Sequence, residues 1–209
     1  HTLCNSDLSA FYFEIRKDRL YCDAPDSVER RACRTVMKQL FDRLTAWLAP
    51  ILCFTAEEAW QSWVADPANS VHLRSYDLIP AEWINSSIAE RWEGIRRVRQ
   101  VVMSALEKAR NDGKIGSSLQ AAPIVHVSAE IKTLFDGLDP ASLFITSDAS
   151  ITTDLASENA FRLDSIADVA IAFEMAEGIK CARCWRVTPE VEDDGGICKR
   201  CATVVAAVR

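Results

Sequence analysis

The chain has 209 residues, of which 49% are hydrophobic, and its formal net charge is -6 at pH 7. A chain of this length can bury a sizeable core. No apolar run approaches the roughly 20 residues that a membrane-crossing helix needs, and the N-terminus lacks the basic-then-apolar order of a secretory signal. The composition predicts a globular, cytoplasmic protein without a membrane partner, and nothing in it points to export.

The overall charge hides an uneven distribution along the chain. Residues 91–116 carry seven bases against three acids, residues 117–179 two bases against ten acids, and residues 180–209 six bases against four acids. An acidic segment therefore separates two basic ones. Binding to nucleic acid stays open for this chain although its net charge is negative.

Helical patterns dominate the first half of the chain. Apolar residues at helical spacing over 8–21 predict a first helix. Asp26 with Glu29 forms a capping box that predicts the start of a long helix, whose apolar stripe runs over 28–48 until Pro50 ends it. Antiparallel packing of these helices as a bundle is the arrangement we expect.

A second capping box at Thr55 predicts a short helix, and residues 66–82 are expected to form a connection with an extended piece at 71–73. Four tryptophans lie on or beside apolar stripes and are expected in the core: Trp47, Trp60, Trp63 and Trp92. Four scattered cysteines are expected to be reduced and buried: Cys4, Cys22, Cys33 and Cys53.

Another long helical stripe covers 88–109, and Gly113 is placed to end that helix in a left-handed conformation. The pattern then changes: residues 130–135 suit one or two helical turns, and strand-like composition appears at 123–127, 143–146 and 168–175.

These patterns predict a mainly helical fold in three parts. An antiparallel helical bundle is expected over 1–116, a small α/β module over 117–179, and a cysteine-rich tail over 180–209.

The tail contains the sharpest motif of the chain. Cys181 and Cys184 are separated by two residues, thirteen residues follow, and Cys198 and Cys201 repeat the spacing. Two such pairs supply four thiolates for a closed tetrahedral shell, which predicts one structural Zn²⁺ and leaves no open position for catalysis. Two disulfides or an iron site are the alternatives.

The same tail carries cations and an aromatic ring that suit phosphates and an unpaired base. The candidates are Arg183, Trp185, Arg186, Lys199 and Arg200. Trp185 has the alternative role of covering the metal site or packing on the α/β module. Arg30, Arg31 and Arg34 form a second basic set, although such a set is commonly only a solvated helix face.

Signals for catalysis are absent from the sequence. It has no glycine-rich phosphate loop, nucleophile elbow or HExxH motif, and its three histidines are isolated. We therefore predict no catalytic residue in this chain.

Several segments resemble bacterial isoleucyl-tRNA synthetases, in the same order along the chain. Residues 13–21 (FEIRKDRLY) and 48–60 (LAPILCFTAEEAW) match two family motifs, and 115–121 (IGSSLQA) matches a third with Gln in place of the usual Glu. Residues 176–185 and 197–201 resemble the zinc-binding tail. The first two motifs are shared in part with valyl and leucyl enzymes, whereas the tail favours the isoleucyl enzyme.

The resemblance implies a class I synthetase that uses ATP to attach isoleucine to its tRNA, with the helical bundle and zinc tail binding the anticodon stem-loop. It implies isoleucine tRNA and the catalytic and editing domains of the same polypeptide as partners. The family's ATP-binding signatures and editing domain are missing from these residues, so we expect this chain by itself to be inactive. The alternatives are a zinc-stapled helical module that binds protein, and the equivalent region of a valyl or leucyl relative.

Overall fold

The computed structural model describes residues 1–208 and is mainly helical, with a small sheet region and a cysteine cluster near its end. Its contacts divide the chain into two units, one formed by His1–Ala24 with the chain from Ser86 onward, the other by Pro25–Asn85. The three-part division by sequence stays a prediction. No helix within residues 1–208 combines the length and apolar character that crossing a membrane requires.

A π-helical segment, Leu3–Phe13, leads directly into the first α-helix. The α-helices in chain order are α1 (Glu14–Cys22), α2 (Val28–Leu48), α3 (Cys53–Val64), α4 (Ser86–Asn111), α5 (Ala129–Thr133), α6 (Pro140–Phe144) and α7 (Lys199–Val208). The strands are β1 (Ile124–His126), β2 (Ser150–Thr152), β3 (Phe161–Leu163), β4 (Ile166–Ala172), β5 (Ile179–Lys180) and β6 (Val187–Thr188).

The larger unit is built on α4, whose buried face includes Ile95, Val98 and Val102. This face shares one apolar core with a four-stranded sheet of order β2-β1-β4-β3. β1 and β2 run parallel, and the other two pairings are antiparallel. The helix ends as predicted, with Gly113 at φ +71°.

The smaller unit contains α2, α3 and two short 3₁₀ turns, Val71–Leu73 and Ala81–Trp83. Trp60 is buried between these elements, and its indole N–H donates to the carbonyl oxygen of Asn69 at 2.8 Å. The extended conformation predicted for 71–73 is therefore wrong, because Ser70 caps a tight helical turn there.

Both predicted helix starts in this unit are also wrong. α2 is capped by Ser27, whose hydroxyl accepts from the Arg30 N–H at 3.3 Å, and Asp26 lies one residue too early. α3 begins at Cys53, so Thr55 lies inside the helix. A polar residue followed by a Glu three positions later identifies a helix start only to within a few residues.

Residues 143–146 are not a strand. Leu143 and Phe144 close α6, a short helix that Asp139 caps and that has Pro140 at its first turn, and Ile145 follows at φ +57°. A short apolar run suits a buried helix and a buried strand equally, and here the preceding Asp-Pro decided the outcome.

The core predictions for aromatic and thiol side chains hold only in part. Trp60 is buried and Trp92 is half-buried, whereas Trp63 is 59% exposed and Trp47 is 37% exposed. Cys22 and Cys33 are buried as predicted, but Cys4 and Cys53 are exposed. An apolar helical stripe wider than the surface that covers it leaves its margins in solvent.

Candidate metal centre and the surface around it

The first cysteine pair lies in a tight turn between β5 and β6. These two strands pair antiparallel, and the Cys181 N–H donates to the Arg186 carbonyl at 2.8 Å to close the turn. Trp185 occupies the left-handed region at φ +67°, and its N–H donates to the Cys181 carbonyl at 2.9 Å. This backbone geometry directs Cys181 and Cys184 to the same side.

The second pair lies at the start of α7. Cys198 precedes the helix, Cys201 lies in its first turn, and the Cys198 N–H donates to the Cys181 sulfur at 3.3 Å. The loop returns to the first pair through an Ala182 N–H bond to the Gly196 carbonyl at 2.9 Å. The four sulfur atoms of the two pairs consequently lie within 4.8 Å of one another, and all four cysteines are buried.

The sulfur positions fit a zinc ion and do not fit disulfides. The Sγ atoms of Cys184 and Cys198 are 3.8 Å apart, close to the separation of about 3.8 Å that a tetrahedron with Zn–S bonds of about 2.3 Å requires. A disulfide needs about 2.05 Å, and all eight cysteines, which lie in the described part of the chain, are free thiols. The disulfide alternative is therefore not what the fold contains.

Burial disfavours the thiolate forms of these cysteines, and hydrogen bonds offset this effect at Cys181. Burial alone would raise the pKa of Cys181, but N–H donors of Cys184, Cys198 and Arg183 lower that pKa to about 6. Burial raises the pKa of Cys201 to about 12, and it raises the pKa of Cys184 as well. At neutral pH, Cys181 is therefore more ready than Cys184 or Cys201 to bind a metal ion as a thiolate.

Arg183, a candidate for RNA contact, is engaged within the protein. Its guanidinium donates to the carbonyl oxygen of Cys22 at 2.7 Å and to that of Tyr21 at 3.2 Å. The same group lies 3.5 Å from the Cys201 sulfur.

Two further tail candidates also have partners inside the protein. Arg200 binds both carboxylate oxygens of Asp18, at 2.6 and 2.7 Å, and contacts Asp23 at 3.3 Å. Arg186 lies 3.7 Å from the carboxylate of Asp139. The structure thus brings Arg183, Arg186 and Arg200 together around the cysteines but directs them inward.

Trp185 and Lys199 face outward. Trp185 is 60% exposed, and its remaining surface lines a cavity that Ile145 and Thr146 of segment 117–179 also line. The Lys180 ammonium lies 5.4 Å from the centroid of the Trp185 ring, within cation–π range. Lys199 is exposed at the first residue of α7. An aromatic plane with nearby cations remains available on this surface.

A cavity of about 420 Å³ opens beside Trp185, between α1, α6 and the first cysteine pair. Its lining is mostly apolar and includes Ile145 and Tyr21. The hydroxyl of Thr146, also in the lining, is buried and has no hydrogen-bond partner among residues 1–208.

The candidates on α2 lie in the other unit. Arg31 and Arg34 are exposed, and Arg30 is half-buried. They are not part of the cluster around the cysteines.

Sequence reasoning missed the residues of α1 that support the tail. Cys22 is buried in one cluster with the four cysteines, and burial raises its pKa to about 11. Asp18 and Asp23 supply the carboxylates for Arg200. Asp18 belongs to the KDR part of the 13–21 motif, but no local pattern indicates a partner 182 residues away.

Two parts of the chain match the models of known families. Residues 1–126 match the model for the anticodon-binding domain of tRNA ligase, and residues 178–204 match the model for the zinc finger found in FPG and IleRS. The chain belongs to the family of anticodon-binding domains of tRNA ligases, and structural zinc is the cofactor of its tail.

Similar curated proteins carry a more specific name. Isoleucine–tRNA ligase of Agrobacterium fabrum (strain C58) is 50% identical over 191 residues, which is 91% of this chain and 20% of that protein. The ligase of Ruegeria pomeroyi is 51% identical over 198 residues (93% and 20%), and that of Gluconobacter oxydans 47% over 210 residues (99% and 21%). The resemblance seen in the motifs is confirmed, and the chain spans about one fifth of the length of these relatives.

Proposed function

We propose that this chain is the tRNA-recognition region of an isoleucine–tRNA ligase, the enzyme that attaches isoleucine to its tRNA using ATP. The observation that carries the proposal is the combination, in one chain, of an anticodon-binding match over 1–126 with a zinc-finger match over 178–204. No catalytic residue is assigned to this chain. The catalytic and editing domains of the same polypeptide and isoleucine tRNA are the partners, and the cytoplasm is the compartment.

Cys181, Cys184, Cys198 and Cys201 are the four zinc ligands in this proposal. Their burial and the 3.8 Å separation of the Cys184 and Cys198 sulfurs support a closed structural site. The zinc holds the two turns in register, and with them the surface that carries Trp185 and Lys199.

RNA contact is assigned first to the exposed members of the candidate set. Trp185 offers a stacking plane for an unpaired anticodon base, and Lys199 offers a cation for a phosphate. Arg31 and Arg34 are the exposed candidates of α2. We assign the helices over 1–116 to an antiparallel bundle that binds the anticodon stem.

The test compares binding of isoleucine tRNA with binding of valine and leucine tRNAs at moderate salt. We expect selective binding of isoleucine tRNA, and Trp185→Ala should weaken it by on the order of 10-fold because one stacking contact is lost. Leu155→Ala is the control, since Leu155 is an exposed apolar residue in the acidic segment 117–179, outside the assigned RNA contacts. Absence of affinity for every tRNA would favour the protein-binding alternative, and equal affinity for all three tRNAs would contradict isoleucine specificity. Preference for valine or leucine tRNA would favour a relative of the isoleucyl enzyme.

A further inference from the structure

The two cysteine pairs share a feature that zinc ligation does not explain. Each pair has an arginine directly before its second cysteine, Arg183 in the first and Arg200 in the second. Both arginines point to the C-terminal end of α1. The conformation of each turn therefore sets the direction of one guanidinium towards the same helix end.

Arg183 supplies hydrogen-bond donors to the last carbonyl groups of α1. The last carbonyls of a helix have no partner within it and carry partial negative charge. Tyr21 and Cys22 are the last two residues of α1, and Arg183 donates to both carbonyl oxygens. Arg183 in the tail thus caps a helix whose last two residues lie 162 and 161 positions earlier in the chain.

Arg200 fastens the second turn to the same helix. It binds Asp18 in a bidentate ion pair and also reaches Asp23, a residue only 7% exposed. Burial alone would raise the pKa of Asp18, but the hydrogen bonds and charge of Arg200 lower it. A bidentate arginine–carboxylate pair is among the stronger polar contacts, and removal of one partner leaves a partly buried charge unpaired.

We propose that Asp18 and Asp23 are positioning residues of the metal centre, acting through Arg200 while Arg183 caps α1, so that zinc binding and docking of the tail on α1 are one coupled event. We call these four residues the clasp. The proposal rests on the ligand assignment of the proposed function and is independent of RNA binding. It also assigns Arg183 and Arg200 to the support of the metal centre and not to phosphate contact.

The first experiment measures zinc affinity of the full 209-residue chain by competition with a chelator of known affinity. Asp18→Asn and Arg200→Gln should each weaken zinc binding by about 10-fold, since partners beyond the ligands typically contribute that much. The zinc affinity of the double variant should be within about twofold of that of the more weakly binding single variant, because both substitutions break the same Asp18–Arg200 contact. Glu14→Gln is the matched control: it removes one carboxylate from α1 whose partner is Lys17.

The proposal would be overturned if the single variants bound zinc within about twofold of the unchanged chain. It would also be overturned if the zinc affinity of the double variant fell by the product of the two single losses. Far-ultraviolet circular dichroism checks that each variant is folded. Asp18→Glu is a milder second variant, because it keeps the carboxylate. Its zinc affinity should lie between that of Asp18→Asn and that of the unchanged chain. The Co²⁺ derivative should keep its tetrahedral thiolate spectrum in every variant, because the four ligands are unaltered.

A second measurement separates the clasp from RNA contact. The slope of log Kd for tRNA against log salt should be the same for Arg200→Gln and the unchanged chain, whereas a lost phosphate contact would flatten it by about 0.7. A flatter slope with unaltered zinc affinity would overturn the assignment of Arg200. If no chain binds tRNA, the proposed function fails, while zinc affinity still decides the clasp.

Discussion

Gly178 occupies a position at which no side chain fits. Its φ is +107°, and a Cβ there would lie 2.2 Å from the Thr188 carbonyl carbon and 2.4 Å from the Pro189 nitrogen. Both neighbours are backbone atoms of the opposite side of the first turn, so they cannot rotate away. The glycine that opens the β5–β6 hairpin is thus required by a close backbone approach as well as by its dihedral angle.

We expect Gly178→Ala to destabilise the tail by about 3 kcal/mol or more, through backbone strain and overpacking. The measurement is zinc affinity, which should fall on the order of 100-fold. Gly195→Ala is the control, because Gly195 has φ +85° but no atom within 4 Å of the position that a Cβ would take; strain alone should cost it about 1 kcal/mol. Equal effects of the two substitutions would show that the close approach to Thr188 is relaxed in solution.

At the scale of elements, Ser27 caps the N-terminal end of α2. The Ser27 hydroxyl accepts a hydrogen bond from the Arg30 N–H, one of the four N–H groups at a helix start that have no partner within the helix. Asp26, which the sequence pattern favoured, makes no cap of this helix. The two neighbouring residues therefore provide a matched pair of substitutions.

Ser27→Ala should lower the free energy of unfolding of the smaller unit by about 1 kcal/mol, because the cap is lost. Asp26→Ala should change it by less than about 0.5 kcal/mol, as expected of a surface position. Urea unfolding followed by far-ultraviolet circular dichroism measures both. A larger loss for Asp26→Ala than for Ser27→Ala would restore the original capping box and contradict the observed cap.

For the whole molecule, the metal centre belongs to one of two units. The four cysteines, α1 and α4 lie in the larger unit, and α2 and α3 lie in the smaller one. Metal ligation of this kind contributes directly to the folding free energy of the segment that holds the ligands. The consequence of removing zinc should therefore be confined to one part of the chain.

Chelation of zinc should increase amide hydrogen exchange over 179–208 and at the end of α1, where Arg183 and Arg200 make their contacts. Exchange in α2 and α3 should stay the same, because these helices contain no ligand and no residue of the clasp. Hydrogen exchange with mass spectrometry, before and after chelation, measures both regions. Uniform loss of protection in both units would show that the metal stabilises the whole chain.

The sequence predicted some features of the structure more successfully than others. The spacing of Cys181, Cys184, Cys198 and Cys201 predicted the metal cluster, because each pair needs only one tight turn to bring two sulfurs together. The stripe over 88–109 predicted α4, because a long regular pattern determines a helix strongly. The run at 143–146 failed, because four apolar residues carry too little periodicity to separate a helix from a strand.

The sequence by itself determined the helical character of the chain, the cysteine cluster and the family, since each depends on residues close together in the chain or on motifs in a fixed order. Only the tertiary structure decided which cations face solvent. Arg183 and Arg200 have the composition of an RNA-binding surface, but their partners lie on α1, up to 182 residues away. A side chain's charge is visible in the sequence, whereas the group that neutralises it is set by long-range packing.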